Sequence, residues 1–134
     1  MKATIGHIGI NLSNSGKSFR FWKDVLNYLG FKVIEDGSSH FDANDGMSYL
    51  CVSVTEKHYK IDGFHRKRTG LNHIAFRVSS REQVDQCVSE LLVPRNIHTL
   101  YGGAKPYPEY VEGYYAVYFE DPDKIKVEIV YEPL

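Results

Sequence analysis

Cysteine is scarce in this chain, with only Cys51 and Cys87 among 134 residues. Two thiols make no disulfide framework, and no CxxC pair is present, so a reducing cytoplasm is the expected compartment. Charge of one sign is also lacking: 16 basic residues stand against 17 acidic ones. That balance removes the electrostatic case for a nucleic-acid or anionic-membrane partner. No apolar run approaches the roughly 20 residues needed to cross a bilayer. The opening MKATIGHIGINLSNSG lacks the apolar core and small-residue cleavage site of a secretory signal. What remains is a chain the size of one compact domain, able to bury roughly two-thirds of its unfolded surface.

Tyrosine, by contrast, is abundant. There are ten, five of them between Tyr107 and Tyr118 beside glycines and prolines. Such a stretch reads as a pocket wall or a mobile loop. The chain also repeats itself. Ile5–Leu12 reads IGHIGINL and Leu71–Val78 reads LNHIAFRV, which places His73 66 residues after His7. An internal repeat of this kind decides the architecture, so it is taken first.

In the first copy, Thr4–Leu12 is expected as a strand, with Ile8, Ile10 and Leu12 on one face and His7, Gly9 and Asn11 on the other. Ser13, Asn14 and Ser15 offer N-caps to an amphipathic helix running to about Leu29. Phe19, Trp22, Val25 and Leu26 form its apolar stripe, and Gly30 closes it. Strands follow over Phe31–Glu35, His40–Ala43 and Met47–Val54, separated by the turns Asp36-Gly37-Ser38 and Asn44-Asp45-Gly46. The second copy repeats this order. Leu71–Val78 is the strand, Ser79 or Ser80 caps a helix over Arg81–Leu92, and Pro94 stops it. A weak strand is expected over Ile97–Tyr101 and a loop over Gly102–Gly113. A hairpin then runs from Tyr114–Glu120 to Ile125–Tyr131. The expectation is one domain over residues 1–134: module one over 1–56, a polar connector over 57–69 and module two over 70–134. The class is α+β.

The chemistry centres on three side chains. His7 and His73 occupy the same point of the repeat, opposite the apolar face. Glu128 sits between Val127 and Ile129, where an unpaired carboxylate is costly to bury. Two readings stand side by side. Each histidine is an ordinary hydrogen-bonded strand residue, or the pair joins Glu128 in a site of two imidazoles and one carboxylate. The second arrangement suits non-haem iron, manganese, nickel or zinc.

The segments GHIGINL, LNHIAFRV and YAVYFEDPDKIKVEIV together resemble the vicinal oxygen chelate superfamily. That group includes glyoxalase I, extradiol dioxygenases, methylmalonyl-CoA epimerase and the fosfomycin- and bleomycin-resistance proteins. The last segment is similar to the family's DPDG-x-x-x-E hairpin, with Lys124 where glycine is usual. The resemblance implies two βαβββ modules forming an open, curled mixed sheet around one divalent metal, and often a homodimer that completes the site. It assigns the ligands to His7, His73 and Glu128. It also implies an enzyme acting on a small oxygen-chelating substrate, either a glyoxalase-like lyase or isomerase or a ring-cleaving dioxygenase. The alternative is an antibiotic-resistance protein, either fosfomycin-modifying or a metal-free drug-binding module.

Module one departs from the glyoxalase I pattern. Where that enzyme supplies a metal-bound Glu, this chain offers Tyr49, Cys51 and Ser53. Cys51 is a thiolate ligand or a small apolar residue. With no Glu there, a base must come from elsewhere, and His40 is either that base or an exposed turn histidine. Tyr114 and Tyr118, on the face expected towards the metal, are substrate contacts or aromatic packing. Tyr49 and Cys51 join them as candidate substrate contacts, as do Lys105 and Tyr110 on the glycine-flanked loop, which is able to close over the site.

Overall fold

The computed structural model describes residues 1–133. Two compact units divide at Gly63 and Phe64, and each is a βαβββ module.

In module one the elements are β1 (His7–Leu12), α1 (Lys17–Tyr28), β2 (Lys32–Asp36), β3 (His40–Asn44) and β4 (Tyr49–Val54). The sheet order is β1-β4-β3-β2, with β1 parallel to β4 and the other pairs antiparallel. Period two explains which side is buried: Ile10, Leu12, Phe41, Ala43, Leu50 and Val52 turn inward. From α1, Phe19, Trp22, Val25 and Leu26 are buried at three- and four-residue steps, and Phe19 meets Phe41 edge to face at 5.0 Å. Each such side chain contributes about 1.5–3 kcal/mol on leaving water.

The termini differ in detail from the sequence expectation. β1 begins at His7 rather than Thr4, because β4 starts at Tyr49, its partner in register. Gly16 takes the N-cap position of α1, and Asn14 caps from two residues outside. Its Oδ1 accepts from the backbone N–H of Gly16 and of Ser18 at 3.1 and 3.2 Å. Gly30, at φ 87°, closes the helix as expected, and the Phe31 N–H donates back to the Leu26 carbonyl at 2.9 Å. The connector is not featureless. Lys57–Asp62 forms an exposed 3₁₀ helix with no buried residue.

In module two, β5 (Ile74–Arg77) is followed by α2 (Arg81–Cys87), which widens into a π turn over Val88–Leu92. Then come β6 (Lys105–Pro106), β7 (Tyr115–Glu120) and β8 (Lys126–Tyr131). The order β5-β8-β7-β6 repeats that of module one, again with the first and last strands parallel. Ser80 caps α2 by accepting from the Gln83 N–H at 3.2 Å. Val84, Cys87, Leu91 and Leu92 are buried, and α2 packs against β7 and β8.

Two expectations are corrected here. The strand expected over Leu71–Val78 is only Ile74–Arg77, and His73 lies just before it. Ile97–Tyr101 is not a strand; only Thr99 makes a bridge, to Phe119. The backbone explains the second point. Asn96 and Tyr101 adopt φ of 53° and 56°, and Gly102 and Gly103 follow at 86° and 94°. Left-handed residues at both ends stop an extended run. The fourth strand of the sheet comes instead from inside the expected loop, where Lys105 and Pro106 pair with Ala116 and Tyr115.

Candidate functional site

β8 is buried on both faces, and this is what places a carboxylate in the interior. Val127 and Ile129 occupy one face. Glu128 and Val130 occupy the other, where Val130 packs with Tyr107, Ala116 and Tyr118. Glu128 stands opposite Ala75 on β5 and Tyr118 on β7. Its side chain is 1 % exposed. A bare carboxylate there would be strongly destabilising, so its partners matter.

Tyr114 donates from its hydroxyl to Glu128 Oε1 at 2.5 Å. His73 Nε2 lies 3.0 Å from Oε2. On its other side, His73 Nδ1 is 2.7 Å from Asn72 Oδ1. With that oxygen accepting from Nδ1–H, a neutral His73 turns the lone pair of Nε2 towards the carboxylate. Two acceptors so placed repel unless a proton or a metal cation joins them. Adjacent ligands of an octahedral ion with bonds of about 2.1 Å stand about 3.0 Å apart, so the pair fits two corners of such a site. Burial, then the Glu128 carboxylate, push the hydroxyls of Tyr114 and Tyr118 well above the usual phenol range. Both therefore remain O–H donors at physiological pH.

A cavity of about 550 Å³ opens beside this pair. His73, Glu128, Lys105, Tyr110, Tyr114 and Tyr118 all line it, so six of the residues singled out from the sequence come together in module two. Four more line it that sequence reasoning missed: Asn72, Tyr101, Tyr107 and Lys126. Lys126 carried a legible signal, since period two puts it on the Glu128 face. Tyr107 carried only the collective signal of its tyrosine-dense stretch, and Tyr101 carried none, because irregular backbone brings it in. Lys126 Nζ lies over the rings of Tyr101 and Tyr118, at 5.6 and 5.3 Å from their centres. Burial pushes the Tyr101 hydroxyl up, but the Lys126 and Arg66 cations beside it outweigh that and hold it below the ordinary phenol value.

The remaining candidates lie in module one. His7 is exposed at the start of β1 and stacks on Tyr49, ring centres 4.8 Å apart. His40 is half-buried and held at both nitrogens: Nδ1 is 2.9 Å from Ser53 Oγ and Nε2 3.0 Å from Asp42 Oδ1. Cys51 is half-buried beside Asp42, and burial, then the Asp42 carboxylate, push its thiol up. Among the described residues, no three His, Cys, Asp or Glu side chains gather as a metal cluster.

The order of elements, the histidine repeated at the head of each module's first strand and the buried glutamate of β8 now stand against known proteins. The description matching residues 4–129 is the glyoxalase/bleomycin resistance protein/dioxygenase superfamily. The chain belongs to that superfamily. Its turn before β8 shows why this hairpin favours glycine: Lys124 sits at φ 69°, while Asp121 Oδ1 accepts from the N–H groups of Asp123 and Ile125 at 2.8 and 2.7 Å. Over 124 residues this superfamily member is 38 % identical to the uncharacterized protein YqjT of Bacillus subtilis, covering 92 % of this chain and 95 % of that one. It is 37 % identical to a Bacillus halodurans protein provisionally called a glyoxalase, whose crystal structure matches with a TM-score of 0.87 over 98 % of this chain and 97 % of that one. The fosfomycin resistance protein FosX of Listeria monocytogenes shares the fold at 20 % identity, with a TM-score of 0.70 over 100 % and 97 % of the two chains. No helix among the described residues is long and apolar enough to cross a membrane.

Proposed function

We propose that this superfamily member is a metal-dependent enzyme acting on a small substrate that offers two neighbouring oxygens. His73 and Glu128 would hold one divalent ion (iron, manganese, nickel or zinc) together with His7. The observation that carries this reading is the buried Glu128 carboxylate, whose Oε2 lies 3.0 Å from His73 Nε2. When bound, the ion supplies Lewis-acid polarisation of the substrate oxygens.

The chain's own groups do the rest. Tyr114 fixes the Glu128 carboxylate and Asn72 fixes the His73 ring, which keeps both donors pre-oriented. Tyr118 and Tyr110 present hydroxyls to the cavity, and Lys105 presents a positive charge. In module one, His40 is the proposed general base. Asp42 orients its ring and stabilises the imidazolium that forms on proton uptake. Tyr49 and Cys51 are proposed substrate contacts. The exposed His7 is supplied by a second copy of the chain in a homodimer, and two cysteines that form no disulfide with each other suit the cytoplasm.

Elemental analysis of protein purified without a histidine tag tests the reading. One divalent ion per site is expected, and His73→Ala is expected to weaken its affinity at least tenfold. Unchanged affinity in that variant rejects the site. Protein that takes up no metal supports the drug-binding module instead. Sedimentation at micromolar concentration is expected to give a dimeric mass, and a metal-loaded monomer rejects the shared site.

A further inference from the structure

We propose that the module-two cavity holds a subsite for a small aromatic carboxylate, built from Lys105, Lys126, Tyr101 and Tyr107. The subsite stands apart from the metal reading, because none of these four groups is a proposed ligand.

The first observation is an orphan. Tyr107 is 7 % exposed, lines the cavity, and its hydroxyl is buried without a hydrogen-bond partner among the described residues. A buried O–H left unmade is destabilising, and native proteins seldom leave one without a reason. Burial, then the hydroxyl of Tyr110 and the carboxylate of Glu128, push this phenol up, so it stays a donor awaiting an acceptor.

The second observation is charge. Lys105 and Lys126 both line the cavity. Among the described residues the ion pairs join other groups, and neither lysine has a carboxylate partner. Lys105 Nζ sits 5.3 Å from the centre of the Tyr107 ring. Lys126 Nζ donates to the Tyr101 hydroxyl at a long 3.5 Å. Two lysines against one glutamate leave the cavity one lysine charge that no carboxylate in its lining answers. A monoanion balances it, and a carboxylate's oxygens accept from an ammonium and a phenol together.

The third observation is the wall. Tyr107 stacks on Tyr110 at 5.7 Å and 9°, and meets Tyr118 edge to face at 5.5 Å. Tyr101 also meets Tyr118 edge to face at 5.4 Å. Ring faces and edges at these spacings suit a further aromatic ring. The volume of about 550 Å³ accommodates one with room to spare.

The test is titration of the full chain with benzoate, benzamide and inorganic phosphate, with and without a chelator, together with thermal unfolding. Benzoate is expected to bind at least tenfold more tightly than benzamide, with or without the chelator. Lys126→Met and Lys105→Met are each expected to weaken benzoate at least fivefold while leaving benzamide unchanged. Tyr107→Phe is expected to raise the Tm of the free protein and to weaken benzoate severalfold. This is an opposed pair of effects that a purely structural tyrosine would not produce. Equal binding of benzamide overturns the proposal. So does phosphate binding as tightly as benzoate, or a Tyr107→Phe variant with unchanged benzoate affinity. Binding of benzoate only to metal-loaded protein also overturns it, without touching the metal reading. Absence of metal with benzoate still bound rejects that reading and leaves the subsite standing.

Discussion

Module one and module two follow the same path and use it differently. Both run strand, helix, three strands, in the orders β1-β4-β3-β2 and β5-β8-β7-β6. The registers can therefore be laid over one another. Two residues after His7, Gly9 pairs with Cys51; two residues after His73, Ala75 pairs with Glu128. Cys51 is thus the module-one counterpart of Glu128. Across the next strand, Asp42 is the counterpart of Tyr118. The pair His40 and Ser53 takes the place of Ala116 and Val130.

The exchange is systematic. In module two a buried acid is surrounded by tyrosines and apolar side chains. In module one a half-exposed thiol lies beside an acid, a histidine and a serine that hydrogen-bond among themselves. One backbone plan places a buried acid among tyrosines in one copy and a half-exposed, hydrogen-bonded polar row in the other. The difference teaches that a shared register fixes which positions face one another and leaves the side chains at those positions free to differ.

The largest effect expected from breaking this comparison is on rate. If module one supplies the base, His40→Ala lowers kcat for the true substrate by about 10²–10⁴ with metal content unchanged. Asp42→Asn should lower it less, by weakening the orientation of the ring. Normal kcat in His40→Ala would show that the base lies elsewhere.

Metal affinity sharpens the comparison next. Glu128→Gln is expected to weaken the ion about a hundredfold, and Tyr114→Phe about tenfold by freeing the carboxylate. The counterpart substitution Cys51→Ser is expected to leave affinity unchanged. Equal losses in Glu128→Gln and Cys51→Ser, measured by competition with a chromophoric chelator, would mean that both copies hold the ion.

The smallest effect concerns the thiol. Burial and the Asp42 carboxylate raise the Cys51 pKa, so less thiolate is present at any given pH than in a free cysteine. The iodoacetamide rate should rise with pH along a curve displaced to higher pH, and Asp42→Asn should move that curve back towards the ordinary thiol value. Peptide mapping of the alkylated site separates Cys51 from the buried Cys87. A Cys51 rate matching free cysteine at pH 8 would contradict the environment described here.

Pattern alone determined much of this protein. The apolar stripe of α1, the period-two faces of β1, β4, β7 and β8, and the recurrence of His7 at His73 all follow from local preference and alternation, which are written into consecutive residues. Glu128 was conspicuous for the same reason, as an acid alternating with buried valine and isoleucine. The tertiary structure decided what lies near it. Tyr101 and Tyr107 reach the cavity through residues with positive φ and a two-residue strand, features too short to leave a periodic trace. Alternation already put Asp42 on the face of His40, but His40 gained Ser53 as a partner only because β3 and β4 pair in one register. Cys51 became the counterpart of Glu128 only once β1 lay beside β4. Alternation sets which face a side chain takes; long-range strand pairing sets which side chain it meets.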